Sequence, residues 1–87
     1  MNVSVWDTFV DRKDNKEMHF DILVPATFND QKKIIEYGKR YLATKNIKTE
    51  NISLKKCQFC HIENASEKTI KEIYENGFDI VELENCN

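Results

Sequence analysis

The strongest constraint in this sequence is a block with no apolar residue, Asp11-Arg12-Lys13-Asp14-Asn15-Lys16, set between two runs of alternating, β-forming residues. Such a block has nothing to bury, so it reads as the tip of a hairpin. The strand before it runs from about Asn2 to Val10, with Val3, Val5, Asp7 and Phe9 on one side and Ser4, Trp6, Thr8 and Val10 on the other. The return strand runs from about Glu17 to Val24. Met18, Phe20, Ile22 and Val24 alternate there with His19, Asp21 and Leu23, and Pro25 closes the strand. The first part of the chain is therefore antiparallel sheet.

Two helices follow from capping and spacing. Asn29 or Asp30 can accept hydrogen bonds from the amides of a first turn, and Ile34, Ile35, Gly38, Tyr41 and Leu42 then fall on one stripe down to about Lys45. Gly38 in mid-stripe costs helix propensity, about 1 kcal/mol against alanine, which predicts a close approach of helix and sheet. Asn46 through Asn51 reads as polar linker, and Ile52-Ser53-Leu54 as a short strand. Ser66, or Asn64 with Glu67 in a capping box, opens a second helix whose buried face is Ile70, Ile73 and Tyr74 and which Gly77 ends. Phe78, Ile80, Val81 and Leu83 make a last strand, with Asp79, Glu82 and Glu84 facing water.

The order is ββαβαβ, an α+β two-layer sandwich: a mainly antiparallel four-stranded sheet with two helices on one face. Val3, Val5 and Phe9 with Met18, Phe20 and Ile22 are expected to meet the helices. Trp6, Thr8, Val10, His19, Asp21 and Leu23 are left on an open face, which suits a homodimer or a ligand. At 87 residues, 1–87 is a single domain with one thin core. With 40% hydrophobic and 32% charged residues, two glycines and one proline, it is not a disordered tail.

The amino terminus has neither a basic nor an apolar signal region, and no run is long enough to span a membrane, so a cytoplasmic location is expected. Net charge is −2, but residues 31–56 are basic while both flanks are acidic. A basic middle can attract phosphates, yet a solvated helix face and loop explain it more simply, so nucleic acid is not the expected partner.

Three cysteines cannot form a closed disulfide set, and two stand in Cys57-Gln58-Phe59-Cys60-His61. A pair at this spacing converges on one atom from a tight turn, which suits zinc, covalent haem or a dithiol couple. Haem requires export, and a low-pKa dithiol requires a helix amino terminus at the first cysteine, where none is expected. Zinc takes three or four soft ligands, and Cys57, Cys60, His61 and Cys86 would supply them if the last strand returns beside the cysteines. The competing reading leaves Cys57 and Cys60 as packing residues and Cys86 as a tail thiol. His19 and Asp21 share a strand face near Trp6 and Thr8. They can form a histidine–carboxylate pair, either supporting a metal or exchanging protons.

Taken together, Val5-Trp6-Asp7-Thr8-Phe9-Val10, Met18-His19-Phe20-Asp21-Ile22 and Cys57-Gln58-Phe59-Cys60-His61 with a terminal Glu84-Asn85-Cys86 resemble a small, mainly bacterial family of domains of unknown function. The resemblance covers essentially the whole chain. It implies a compact α+β domain whose pattern keeps Asp7, Thr8, His19, Asp21, Cys57, Cys60, His61 and a late cysteine, and it carries no activity over. The leading expectation is a binding or interaction domain with zinc at the cysteine cluster. The alternatives are a small thiol-redox enzyme or hydrolase using Cys57 and Cys60 or His19 and Asp21, and an RNA-binding module.

Overall fold

The computed structural model describes residues 1–45, 47 and 52–86, so of the expected linker at 46–51 only Ile47 lies among the described residues. The elements are β1 (Asn2–Arg12), β2 (Glu17–Pro25), α1 (Gln31–Ala43), β3 (Ile52–Asn64), α2 (Glu67–Asn76) and β4 (Asp79–Glu84). They form one antiparallel four-stranded sheet in the order β3-β1-β2-β4, with the expected class, element order and β1–β2 hairpin, while β4 lies at the edge opposite β3 rather than beside the cysteine strand. No helix among the described residues is long and apolar enough to cross a membrane.

The polar block turns the chain tightly. Arg12 N–H donates to Lys16 O at 2.9 Å, and Asn15 takes the left-handed φ of 65° that its short polar side chain tolerates. That turn sets the register: Val10 faces Met18, Thr8 faces Phe20, Trp6 faces Ile22, and on the other side Phe9 faces His19, Asp7 faces Asp21 and Val5 faces Leu23. The register corrects the expected faces, because Trp6, Thr8 and Val10 share a face with Met18, Phe20 and Ile22. Alternation shows which residues of one strand lie together, but only the turn shows which sides of two strands match.

Helix α1 covers that first face. Asp30 caps it by accepting from Lys33 N–H at 3.2 Å, and Ile34, Tyr37 and Leu42 pack into a core with Val10, Met18, Phe20, Ile22, Val24 and Cys86. Each fully buried side chain of this kind contributes about 1.5–3 kcal/mol. A Cβ on Gly38 would lie 3.1 Å from Ile22 Cδ1, so the close approach predicted there is real.

Helix α2 packs elsewhere, which corrects the expectation of both helices on one face. Its Ile73 joins Val3, Val5 and Leu23, whose side chains point away from α1. Ser66 caps it through Thr69 N–H, and Gly77 ends it at φ 89°. Tyr74, expected inside, is 80% exposed, while Asp79, expected outside, is buried and accepts from Thr69 Oγ1 at 2.7 Å. Val3, Val5 and Leu23 lie at one end of β1 and β2, so α2 covers that end of the second face. Asp7, Phe9, His19 and Asp21, further along the same strands, are only partly covered.

Candidate functional site

Three side chains converge on the open end of the second face. Asp7 from β1 stands opposite Asp21 on β2, and His19 is two residues before Asp21, which places all three on the same side of the sheet. His19 Nε2 lies 3.4 Å from Asp7 Oδ1 and 4.0 Å from Asp21 Oδ1. The ring is held by Phe9, its cross-strand neighbour, stacked at a centroid distance of 4.2 Å. Exposure of 27, 23 and 18% for the Asp7, His19 and Asp21 side chains leaves the group enclosed but reachable from solvent.

The carboxyls respond unequally to this crowding. Burial first, then Asp7 as hydrogen-bonding neighbour and like charge, pushes Asp21 up to about 6, partly opposed by His19 and His61. Burial pushes Asp7 up as well, but hydrogen bonds from Asp21, His19 and Cys60 and the charge of His19 outweigh it and hold Asp7 below its ordinary value. Among the described residues, Asp21 Oδ1 is buried with no hydrogen-bond partner. An unsatisfied buried oxygen costs about 1–3 kcal/mol, so this group is an acceptor in want of a donor or a cation.

Strand β3 supplies the rim. Its ladder with β1 slips between Val5 and Trp6, where His61 and Phe59 are the partners and Cys60 is the extra residue of a bulge. Desolvation, hydrogen bonding toward Asp7 and the charges of Asp7 and Asp21 push the Cys60 thiol up. His61 Nδ1 is 3.2 Å from Cys60 Sγ, and His61 Nε2 is 2.8 Å from Glu63 Oε1.

A family model described as a domain of unknown function, DUF2024, matches residues 1–83. The chain belongs to this family. It is similar over 100% of both chains to protein NE1680 from Nitrosomonas europaea, whose NMR structure superposes with a TM-score of 0.75 at 36% sequence identity. No curated protein matches.

In this DUF2024 domain the four cysteine-cluster residues do not form the expected ligand set. Cys57 and Cys60 lie within a strand, not a turn. Cys57 pairs with Thr8 on the α1 side, with Thr8 Oγ1 3.6 Å from its sulfur, while Cys60 is the exposed bulge residue, its sulfur 3.2 Å from His61 Nδ1. Cys86 does return to the sheet, but it is buried in the α1 core with its thiol donating to His19 O at 3.4 Å. Among the described residues, the one group of three or more His, Cys, Asp or Glu whose ligand atoms lie within 4.8 Å of one another is Asp7, His19 and Asp21. The expected binding face is likewise divided: His19 and Asp21 belong to the site, whereas Trp6 and Thr8 face α1.

Asp7 and Phe9 are the site residues that the face assignment missed. A hairpin centred on Asp14 places Asp7 opposite Asp21, and Asn15 as a left-handed turn residue was the available signal. Three lysines of the basic middle are paired with carboxylates. Lys55 pairs with Glu17 at 2.8 Å, Lys33 with Glu36 at 3.4 Å and Lys45 with Glu82, while Arg40 lies over the Tyr37 ring.

Proposed function

We propose that this DUF2024 domain binds a divalent metal ion at the open end of its sheet, with Asp7, His19 and Asp21 as ligands. The supporting observation is the convergence of two carboxylate oxygens and one imidazole nitrogen within 4.8 Å, with Asp21 Oδ1 buried and unpartnered among the described residues. Like charges directly opposite in a sheet repel, and a cation turns that repulsion into binding. Mixed carboxylate and imidazole ligands suit first-row divalent ions such as zinc and manganese. The test is calorimetric titration of untagged, metal-stripped protein with zinc and manganese. Stoichiometric binding by the wild type, lost in Asp21→Asn and His19→Ala, is expected. The absence of binding heat and of any metal-dependent rise in Tm overturns the proposal.

A second reading rests on Asp21 alone. A carboxyl pushed up to about 6 beside a histidine exchanges protons near neutrality, the property of an acid–base residue in a small hydrolase. It accounts for the paired carboxyls without a metal, and it is the reading left standing if the titration is silent.

A further inference from the structure

We infer that the cleft beside this metal centre is the subsite of a phosphate group, whose oxygens are shared between the metal and the Lys56 ammonium. The inference rests on the metal reading above, and it names the class of ligand that the site takes.

The cleft lies on the same face of the sheet as the centre. Phe9 stands opposite His19 on β2 and opposite Lys56 on β3, so one aromatic side chain is flanked by a candidate ligand and a cation. The β1–β3 ladder then slips, with Val10 opposite Leu54, which leaves Lys55 as the extra residue of a second bulge. In an unbroken strand Lys55 would alternate to the α1 face. Here it reaches Glu17, which shares the face of Phe9 and His19, at 2.8 Å. Two consecutive lysines therefore border one cleft of about 190 Å³, lined by Phe9, Glu17, Lys55 and Lys56.

The two lysines are not equivalent. Lys55 is paired with Glu17 and feels the charge of Asp11 as well, so its own charge is spent locally. Lys56 is exposed and has no ion-pair partner among the described residues. Three protein ligands leave a metal with an open position for a bound molecule. A divalent ion held by one or two carboxylates commonly completes its shell with phosphate oxygens. Asp7 and Asp21 would together offset the charge of such an ion, so an incoming anion gains from a further cation, and Lys56 supplies it. The backbones of His19 and Lys56 are two strand spacings apart, about 10 Å. A metal-bound phosphate and the flexible lysine stem close that gap between them. Phosphate suits the arrangement better than a carboxylate does, because its tetrahedral oxygens can face the metal and the ammonium at once.

Calorimetric titration of inorganic phosphate into the whole, untagged chain tests this, with the chain loaded with zinc or manganese, whichever it binds more tightly. Saturable phosphate binding is expected. Lys56→Gln should weaken it at least about tenfold, the effect of losing one hydrogen bond to a charged group. Lys71→Gln removes the same charge from α2 and should leave it unchanged. Removing the metal with chelator should weaken phosphate binding at least about tenfold too, and acetate should bind more weakly than phosphate by a similar factor. Metal bound without phosphate, or phosphate bound equally by Lys56→Gln or by the metal-free chain, overturns the subsite and leaves the three-residue centre standing. Acetate bound as tightly as phosphate overturns the ligand class. A wild type that binds neither zinc nor manganese overturns the metal reading, and the shared subsite falls with it.

Discussion

Asp7 and Asp21 stand directly opposite each other across β1 and β2, and His19 Nε2 lies 3.4 Å from the first carboxylate and 4.0 Å from the second. The two acids cannot both ionise without cost. Because the folded chain holds Asp21 at about 6 against an ordinary 3.8, it keeps a proton through that interval which the unfolded chain has already released. Metal-free stability should therefore fall as pH rises from 3.8 to about 6. Asp7, held low, contributes in the opposite sense, and its share is lost only at more acidic pH. Thermal melts in chelator should show the fall, and Asp21→Asn should remove it. A Tm that climbs steadily through this interval contradicts the paired-carboxyl account.

Bound metal should abolish that fall. At a free concentration a hundredfold above Kd, a ligand of the folded state adds about 2.7 kcal/mol, a rise in Tm on the order of 10 °C or more for a domain of this size. Scanning calorimetry at neutral pH with and without zinc measures it. Asp21→Asn and His19→Ala should show little of the gain.

The junction of α2 and β4 depends on one buried hydrogen bond. Thr69 Oγ1 donates to Asp79 Oδ2 at 2.7 Å, and Asp79 Oδ1 accepts from Ile80 N–H at 2.8 Å. Thr69→Val should cost about 1–3 kcal/mol by leaving a buried carboxylate oxygen without its donor, and Thr69→Ser should recover most of it. Denaturant melts of the two variants give the comparison.

Two glycines are expected to respond differently to alanine. At Gly38 the helix gain of about 1 kcal/mol meets a 3.1 Å contact with Ile22 Cδ1, so Gly38→Ala should be close to neutral and Gly38→Val clearly destabilising, by about 1–3 kcal/mol. At Gly77 the left-handed backbone alone penalises alanine by about 1–2 kcal/mol, and its Cβ would lie 2.8 Å from Tyr37 Oη. Equal melting temperatures for Gly38→Ala and Gly77→Ala would contradict both contacts.

Alkylation should distinguish the thiols. Cys60 is exposed, Cys57 is half-buried and Cys86 is buried, so iodoacetamide should label them in that order, with Cys86 reacting only on unfolding. Burial pushes the Cys57 thiol up and the carboxylates contribute to raising that of Cys60, so both rates should keep increasing through neutral pH. Peptide mass spectrometry over time reads the order. Fast labelling of Cys60 below neutrality would indicate an activated nucleophile instead.

The elements with short-range causes were legible in the sequence. The polar turn at Asp11–Lys16, the cap at Asp30 and the stop at Gly77 each act within a few residues, and each stands as expected. What depends on pairing was not legible. Asp7 joins His19 through the hairpin register, and Ile73 packs on the face opposite Ile34, where α2 crosses from β3 at one edge to β4 at the other. Strand β3 was read as far too short because it buries almost nothing. From Ser53 to Asn64 only Cys57 is even half-covered, so the usual alternation of apolar residues is missing and a CxxC reads as a turn.

The bulge at Cys60 has a consequence beyond the site. Strand β3 runs along an edge of the sheet, with no further strand beside it among the described residues, a template on which a second chain could add and from which fibres grow. The ladder is broken at Cys60 and again between Lys56 and Leu54, so the straight run is cut to Lys56–Phe59 and carries a lysine at one end. Deleting Cys60 to straighten the strand would remove a protection against aggregation.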